Sequence, residues 1–344
     1  MAAQKVGADL PTTLPAANDT RDLFPVAYSI LAPEALLAEV NRRYRIEPLV
    51  DCALLRSYVN DVYVLRGGAV AYILKIYRAG WRSWSEITYE LDVLTHLTAK
   101  DVPVAAPLPR RDGQLIGILS APEGSRYIVL FPYAAGVKPT PPFMPELYYS
   151  FGSATARMYN ALDDFSSTHA RVPLDLAYLL DRPLSVLRPL LAHRPDDWRF
   201  LVSLADKVRA RIDSLAGQGL DWGVCHGDLT LDNLHIDKDN GIIFYDFDMG
   251  GPGWRACDPY GVFQAWSTEP QWDAFLQGYT GERSFGAADR AAVPYFVAAN
   301  GIWSMGSHAR NWVAWRGLWL VDDEYFDEQF TQWRRWDSEQ LGGI

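Results

Sequence analysis

Between residues 225 and 248 the chain reads CHGDLTLDNLHIDKDNGIIFYDFD. Asp228 and Asn233 stand five residues apart on a short loop, and Asp246 follows thirteen residues after Asn233, at the end of a hydrophobic run. Transfer of a phosphoryl group to a hydroxyl needs such a set. One carboxylate must take the hydroxyl proton. A carboxamide oxygen and a second carboxylate must hold the Mg²⁺ that bridges the phosphates of ATP. Both are the hard oxygen donors that Mg²⁺ favours. HGD alone is common, and polar side chains at a turn usually brace that turn. It is the order HGDxxxxN, then a strand, then DFD, between helical blocks, that points to phosphoryl transfer. His226 is expected to anchor the loop rather than to act as a base.

Upstream, Lys75 lies inside the apolar strand AYILKIY, and Glu90 follows fifteen residues later in a helix. A strand lysine set by a helix glutamate can grip the α- and β-phosphates. Glu86, one turn earlier, competes as the partner, and an ordinary edge-strand lysine is the plainer alternative. The hairpin Arg56-Ser57-Tyr58-Val59-Asn60-Asp61-Val62 would sit over the phosphates. It has no glycine, so its contacts would be backbone amides, the Ser57 hydroxyl and Asn60.

The elements that must position these groups follow from hydrophobic spacing. Leu36, Leu37 and Val40 predict a helix over 33–45. Strands are expected over 52–66 and 70–77 with a turn at Arg66-Gly67-Gly68-Ala69, and a helix over 84–99. Two further strands are expected near 114–120 and 126–132. The Gly- and Pro-rich stretch Tyr133–Pro142 reads as a connection. Beyond it the pattern is helical at about 145–164, 196–216, 256–266, 271–281, 288–307 and 323–338, interrupted at 222–250 by short strand-like runs. The class is α+β, with three parts: a loose tail at 1–22, a β-rich lobe at 23–132 with one main helix, and a larger helical lobe at 133–344.

Composition narrows the partners. The chain has 344 residues, 32 Lys and Arg against 42 Asp and Glu, and a formal net charge of −10. That charge disfavours nucleic acid and anionic membrane surfaces. Three cysteines without a CxxC pair make neither a disulfide framework nor a zinc site. No run has the length and apolarity of a signal peptide or a membrane span, so a cytoplasmic protein is expected.

With its motifs in order over roughly residues 50–265, the chain resembles the aminoglycoside phosphotransferase/choline kinase family, whose fold is protein-kinase-like. SYVNDVYVL, LKIYR and VPVAAPL are similar to the bacterial stress-response kinase A group and its type II homoserine kinase-like relatives. The resemblance implies two lobes around a cleft that binds ATP and Mg²⁺. Asp228 would be the catalytic residue and Asn233 and Asp246 the metal ligands, with Asp248 the alternative to Asp246. Asp258, in CDPYGVF, would support the catalytic loop. Phe131-Pro132-Tyr133 would be the hinge. Pro132 has no N–H, so Tyr133 would donate to adenine while Leu130 and Phe131 flank the ring.

The acceptor pocket is expected among the C-terminal helices, with Trp303, His308, Trp312 and Asp323 as candidate contacts. Trp faces and nearby carboxylates would suit a small amine-bearing alcohol, a metabolite or an antibiotic. The plain alternative makes the tryptophans core and the acidic run at 322–324 a solvated helix start. A protein Ser/Thr acceptor and a nucleotide-binding pseudokinase are the rival functions. The intact Lys75, Glu90, Asp228, Asn233 and Asp246 set argues against the second.

Overall fold

A computed structural model describes residues 24–239, 241–264, 269–316 and 321–343, apart from the side chains of 264, 269 and 312–316. The tail expected over 1–22 lies outside the described residues. The first lobe is a five-stranded antiparallel sheet of order β1-β2-β3-β5-β4. Its strands are β1 (Asp51–Ser57), β2 (Asn60–Gly67), β3 (Val70–Tyr77), β4 (Gly117–Ala121) and β5 (Gly124–Pro132). β1 and β2 join through a tight turn at Tyr58–Val59. β2 and β3 join through Gly68, whose φ of 55° suits a residue without Cβ.

Alternation along β3 sorts its side chains to two faces. Leu74 and Ile76 join Leu36, Val40 and Tyr44 under helix α1 (Pro33–Arg43). Ile73 and Tyr77 face the main core with helix α2 (Trp84–Ala99), and Lys75 shares their face. Ser83 caps α2: its hydroxyl accepts the Glu86 amide while the Glu86 carboxylate accepts the Ser83 amide. That box fixes where α2 starts, and so where Glu90 arrives.

The second lobe contains α3 (Pro145–Ala161), α4 (Arg182–Leu190), α5 (Pro195–Ala216), α6 (Tyr260–Gln264), α7 (Glu269–Glu282), α8 (Ala287–Arg316) and α9 (Asp323–Gln340). Two ribbons interrupt them: β6 (Trp222–Cys225) pairs with β9 (Gly251–Trp254), and β7 (Leu234–Ile236) with β8 (Ile242–Phe244). The helix expected over 256–266 is instead a 3₁₀ turn at Arg255–Cys257 followed by α6, because Pro259 cannot continue an α-helical bond pattern. The Ala177–Asp181 π-turn and α4 have no counterpart in the hydrophobic spacing, since Pro183 and Pro189 read as breakers there. Among the described residues no helix is long and apolar enough to cross a membrane.

Helices α3 and α7 touch backbone to backbone. A Cβ on Gly152 would fall 2.0 Å from the Phe275 carbonyl oxygen, and one on Gly278 would fall 2.0 Å from that of Tyr149. Gly152→Ala is expected to cost about 1–3 kcal/mol by forcing these helices apart. Gly281→Ala, with nothing within 4 Å of its added methyl, should be neutral or stabilising by about 0.5–1 kcal/mol. Urea midpoints of the two variants check the contrast.

Candidate active site

The loop that carries HGD is built around one buried carboxylate. β6 ends at Cys225, and the chain turns through His226-Gly227-Asp228. Asp258 accepts the amides of His226 (2.5 Å) and Gly227 (2.8 Å) and the Tyr159 hydroxyl (2.6 Å). Gly227 has φ of 80°, and a Cβ there would lie 2.2 Å from the Met249 carbonyl oxygen. The glycine of HGD is therefore required by both conformation and space.

The His226 ring packs on Phe247 at 4.3 Å. Its Nε2 lies 3.1 Å from the Tyr245 carbonyl, which can only accept, so Nε2 carries the proton. Nδ1 then accepts the Asp228 amide at 3.4 Å. Both ring nitrogens are occupied in holding the loop.

Asn233 donates through Nδ2 to the Asp228 carbonyl (2.9 Å) and to Asp228 Oδ2 (2.7 Å). Its Oδ1 is thus the atom left to accept. Burial pushes the Asp228 carboxyl above the ordinary aspartate range, and the neighbouring Asp246 charge adds to this. A carboxylate raised in this way is a better proton acceptor for an attacking hydroxyl.

Asp246 follows β8 with φ 64° and ψ 60°, a left-handed conformation that Asp tolerates better than most residues. Lys75 Nζ lies 3.1 Å from its Oδ1, and Arg56 Nη2 2.6 Å from its Oδ2. Burial opposes ionisation of Asp246, but Lys75 and Arg56 outweigh it and hold the carboxyl below its usual range. Lys75 also donates to Glu90 at 3.0 Å, and the Tyr77 hydroxyl donates to Glu90 at 2.8 Å. Burial works against the Lys75 charge. Glu90, Tyr77 and Asp246 overcome it, so the ammonium persists well above its normal range. Glu86 is committed to its capping box and to Arg82, which leaves Glu90 as the partner of Lys75.

The two carboxylates of DFD have separate surroundings. Asp248 is buried beneath Arg82 Nε (3.2 Å), Trp81 Nε1 (2.9 Å) and Asn60 Nδ2 (3.1 Å). Arg171 donates to its backbone oxygen. Burial opposes its charge, yet Lys75, Arg82 and Arg171 hold it far below the normal aspartate range. Asp246 alone of the two lines the cleft.

That cleft is a cavity of about 380 Å³ walled by Ile73, Lys75, Phe131, Tyr133, His235 and Asp246, among others. Asp246 supplies a hard oxygen on its wall, and Asn233 Oδ1, on the neighbouring loop, is a second. Among the described residues no three His, Cys, Asp or Glu side chains converge on a metal position. A two-oxygen site still suits Mg²⁺, which usually keeps several waters and binds with substrate phosphates.

Several sequence-predicted contacts lie elsewhere. The Ser57 hydroxyl bonds to Tyr28 and Arg78, and Asn60 turns to Asp248, so neither lines the cavity. Leu55, Arg56 and Val62 line it instead; Asn60 shares the face of Val62 and Lys75 but stands opposite Tyr77 at the end of the ladder, where it reaches Asp248. Arg56 was visible in the hairpin as its one cation. Phe131 lines the cavity, but Leu130 lies on the opposite face in the α1 core. The Tyr133 amide donates to the Ala71 carbonyl at 3.0 Å, one rung beyond the expected end of β5. It is therefore committed to the sheet, and Ala134 is the next amide on the cavity wall.

The acceptor candidates separate. Trp303 borders a second cavity and lies 6.0 Å from the Tyr178 ring. His308 is bonded to Tyr325 and Ser304, and burial lowers its pKa to about 4. Asp323 is exposed and paired with His193 (2.8 Å) and Arg194 (3.0 Å), and it is not on the wall of the cavity that Trp303 borders. The Trp312 side chain lies outside the described residues. The acidic run is a helix start, with Asp322 capping α9 through the Tyr325 amide. Four arginines and two glutamates line the second cavity, a balance of charge opposite to the one an amine pocket would need.

Residues 51–294 match the profile of the phosphotransferase enzyme family. An uncharacterized protein of Deinococcus radiodurans is 40% identical over 295 residues, covering 82% of this chain and 84% of its own. A homoserine kinase of Rhodopseudomonas palustris (strain BisB5) is 29% identical over 276 residues, covering 75% and 78%. The fold is shared with a microcompartment-associated aminopropanol kinase, with TM-score 0.69, 22% identity and coverage of 87% and 93%. It is shared too with an amicoumacin kinase solved with AMP-PNP and Ca²⁺, with TM-score 0.68, 20% identity and coverage of 89% and 93%.

Proposed function

Because the chain belongs to the phosphotransferase enzyme family, we propose that it moves the γ-phosphoryl group of ATP to a hydroxyl of a small molecule, with Mg²⁺ as the metal. The observation that carries this is the Lys75–Glu90 pair with Asp246 on one cavity wall, the Asp246 charge acting in turn on the Asp228 carboxyl that Asn233 holds. Asp228 takes the proton of the acceptor hydroxyl. The acceptor oxygen bonds to the γ-phosphorus as the bond to the bridging oxygen breaks, and ADP leaves with that electron pair. Lys75, oriented by Glu90, holds the α- and β-phosphates. Asn233 Oδ1 and Asp246 would hold Mg²⁺, which when bound offsets the phosphate charge. Rate then comes from positioning and fixed charge. The cytoplasm supplies ATP and keeps the three free cysteines reduced.

The test is acceptor-dependent ADP release over a panel of hydroxylated amines, amino acids, sugars and antibiotics, with a generic protein substrate alongside. Homoserine belongs in the panel because relatives carry that name. A new phosphate ester on a small molecule is expected. Labelling of protein alone would move the acceptor class, and nucleotide binding without transfer to anything would overturn the proposal. Asp246→Ala should abolish the Mg²⁺ dependence of ATP affinity, read by titration with and without the metal. Retained dependence would shift the ligand to another oxygen.

A further inference from the structure

The second cavity, of about 400 Å³, lies between the β3–α2 loop and helices α4 and α8. Four arginines line it: Arg78 and Arg82 from the first lobe, Arg182 at the start of α4, and Arg310 on α8. This is a cationic concentration in a chain whose net charge is −10. Arg82 is held by Asp248 and Glu86, and Arg78 covers the Tyr28 ring at 3.6 Å. Arg182 and Arg310 differ. Both are exposed, and among the described residues neither forms an ion pair with an acid; Arg182 lies 5.5 Å from the Tyr178 ring.

Two acids also line the cavity, and both have partners already. Glu86 is in its capping box and near Arg82, while Glu123 accepts from Ser29 (2.7 Å) and lies 3.7 Å from Arg126. The uncompensated charge facing the cavity is therefore positive. Ser307 and Asn311 add neutral polar groups beside Arg310.

The cavity adjoins the catalytic loop. Tyr178 and Trp303 line it, and they also line a small cleft whose other walls include Gly227 and Met249. That cleft holds about 10 Å³, the room of one water, so a molecule anchored between Arg182 and Arg310 would have to widen it to approach Asp228.

We propose that the acceptor is a hydroxyl-bearing anion, whose carboxylate or phosphate is held by Arg182 and Arg310 while its hydroxyl reaches Asp228. This deepens the phosphotransferase reading and rests on it. It also reverses the amine preference expected from the sequence.

The test uses four compounds with one three-carbon diol frame: glycerol 3-phosphate, glycerate, glycerol and 3-amino-1,2-propanediol. Calorimetric binding to the full chain is measured for each, with ADP release in parallel. At least one anion-ended compound should bind about tenfold tighter than glycerol, as a charge-assisted contact implies. Which of the two does so separates phosphate from carboxylate recognition. Arg182→Ala and Arg310→Glu, both at exposed positions, should each remove most of that preference, and raised salt should weaken it. The proposal is overturned if no anion-ended compound binds tighter than glycerol, or if the preference survives both variants. The two readings fail separately. Anion preference without ADP release would sink phosphoryl transfer and leave the pocket assignment standing. Phosphorylation of the amine-ended compound alone would do the reverse.

Discussion

Asp228→Asn is expected to lower kcat by about 10²–10⁴-fold, with little change in ATP affinity, because the lost base acts on the acceptor. The same variant should unfold at a higher temperature near neutral pH. Burial raises the folded-state pKa of Asp228 above its unfolded value. Such a group favours folding at pH below its unfolded pKa, and that advantage is lost as pH rises through the folded pKa. At neutral pH the ionised carboxylate is therefore a net cost to folding, which the neutral amide removes while still accepting from Asn233 Nδ2. The stability gap between variant and wild type should widen as pH rises through the Asp228 titration. The acid limb of the wild-type rate profile should lie above the ordinary aspartate range and be absent from the variant. Single-turnover kinetics and thermal melts at several pH values check both halves. A variant with wild-type kcat, or one less stable at neutral pH, contradicts the assignment.

Asp248→Ala is expected to cost about 3–5 kcal/mol, since it leaves Arg82 and Arg171 buried beside no opposing charge at that point. The pH dependence has the opposite sign from Asp228. The folded-state pKa of Asp248 is depressed, so its contribution is present above the unfolded pKa and is lost only as pH falls through the folded value in strong acid. The urea-midpoint difference between wild type and variant should therefore be flat through the neutral range. Asp246→Ala should change stability far less while removing the metal response. If the two variants exchanged these behaviours, the roles of the two carboxylates would be reversed.

Much of this site was legible because its groups are close in sequence or share a simple period. Asp228 and Asn233 sit on one loop, and the alternation of β3 puts Lys75 on the face that Glu90 reaches from α2. What resisted was anything dependent on a turn's register or on long-range partners. Asn60 keeps the face of Val62 and Lys75, but its place opposite Tyr77 carries it to Asp248, while Arg56 stands opposite Val62 and enters the cleft. One extra rung between β3 and β5 commits the Tyr133 amide. The charge of Asp323 suggested an acceptor contact, but its partners, His193 and Arg194, lie about 130 residues earlier, and no local pattern announces them. The four arginines of the second cavity come from three separate segments, so its sign is invisible in a linear charge count.

The turn Phe247–Met249 is also a party wall. Asp246 on one side faces the cavity beside Lys75, and Asp248 on the other grips Arg82 and Trp81, which line the arginine cavity. A ligand in one chamber that changes the affinity of the other through this wall has its own affinity changed by the same factor when the second ligand binds. If nucleotide tightens the hold on an anion, the anion must tighten the hold on nucleotide equally, and paired titrations would have to close that thermodynamic square.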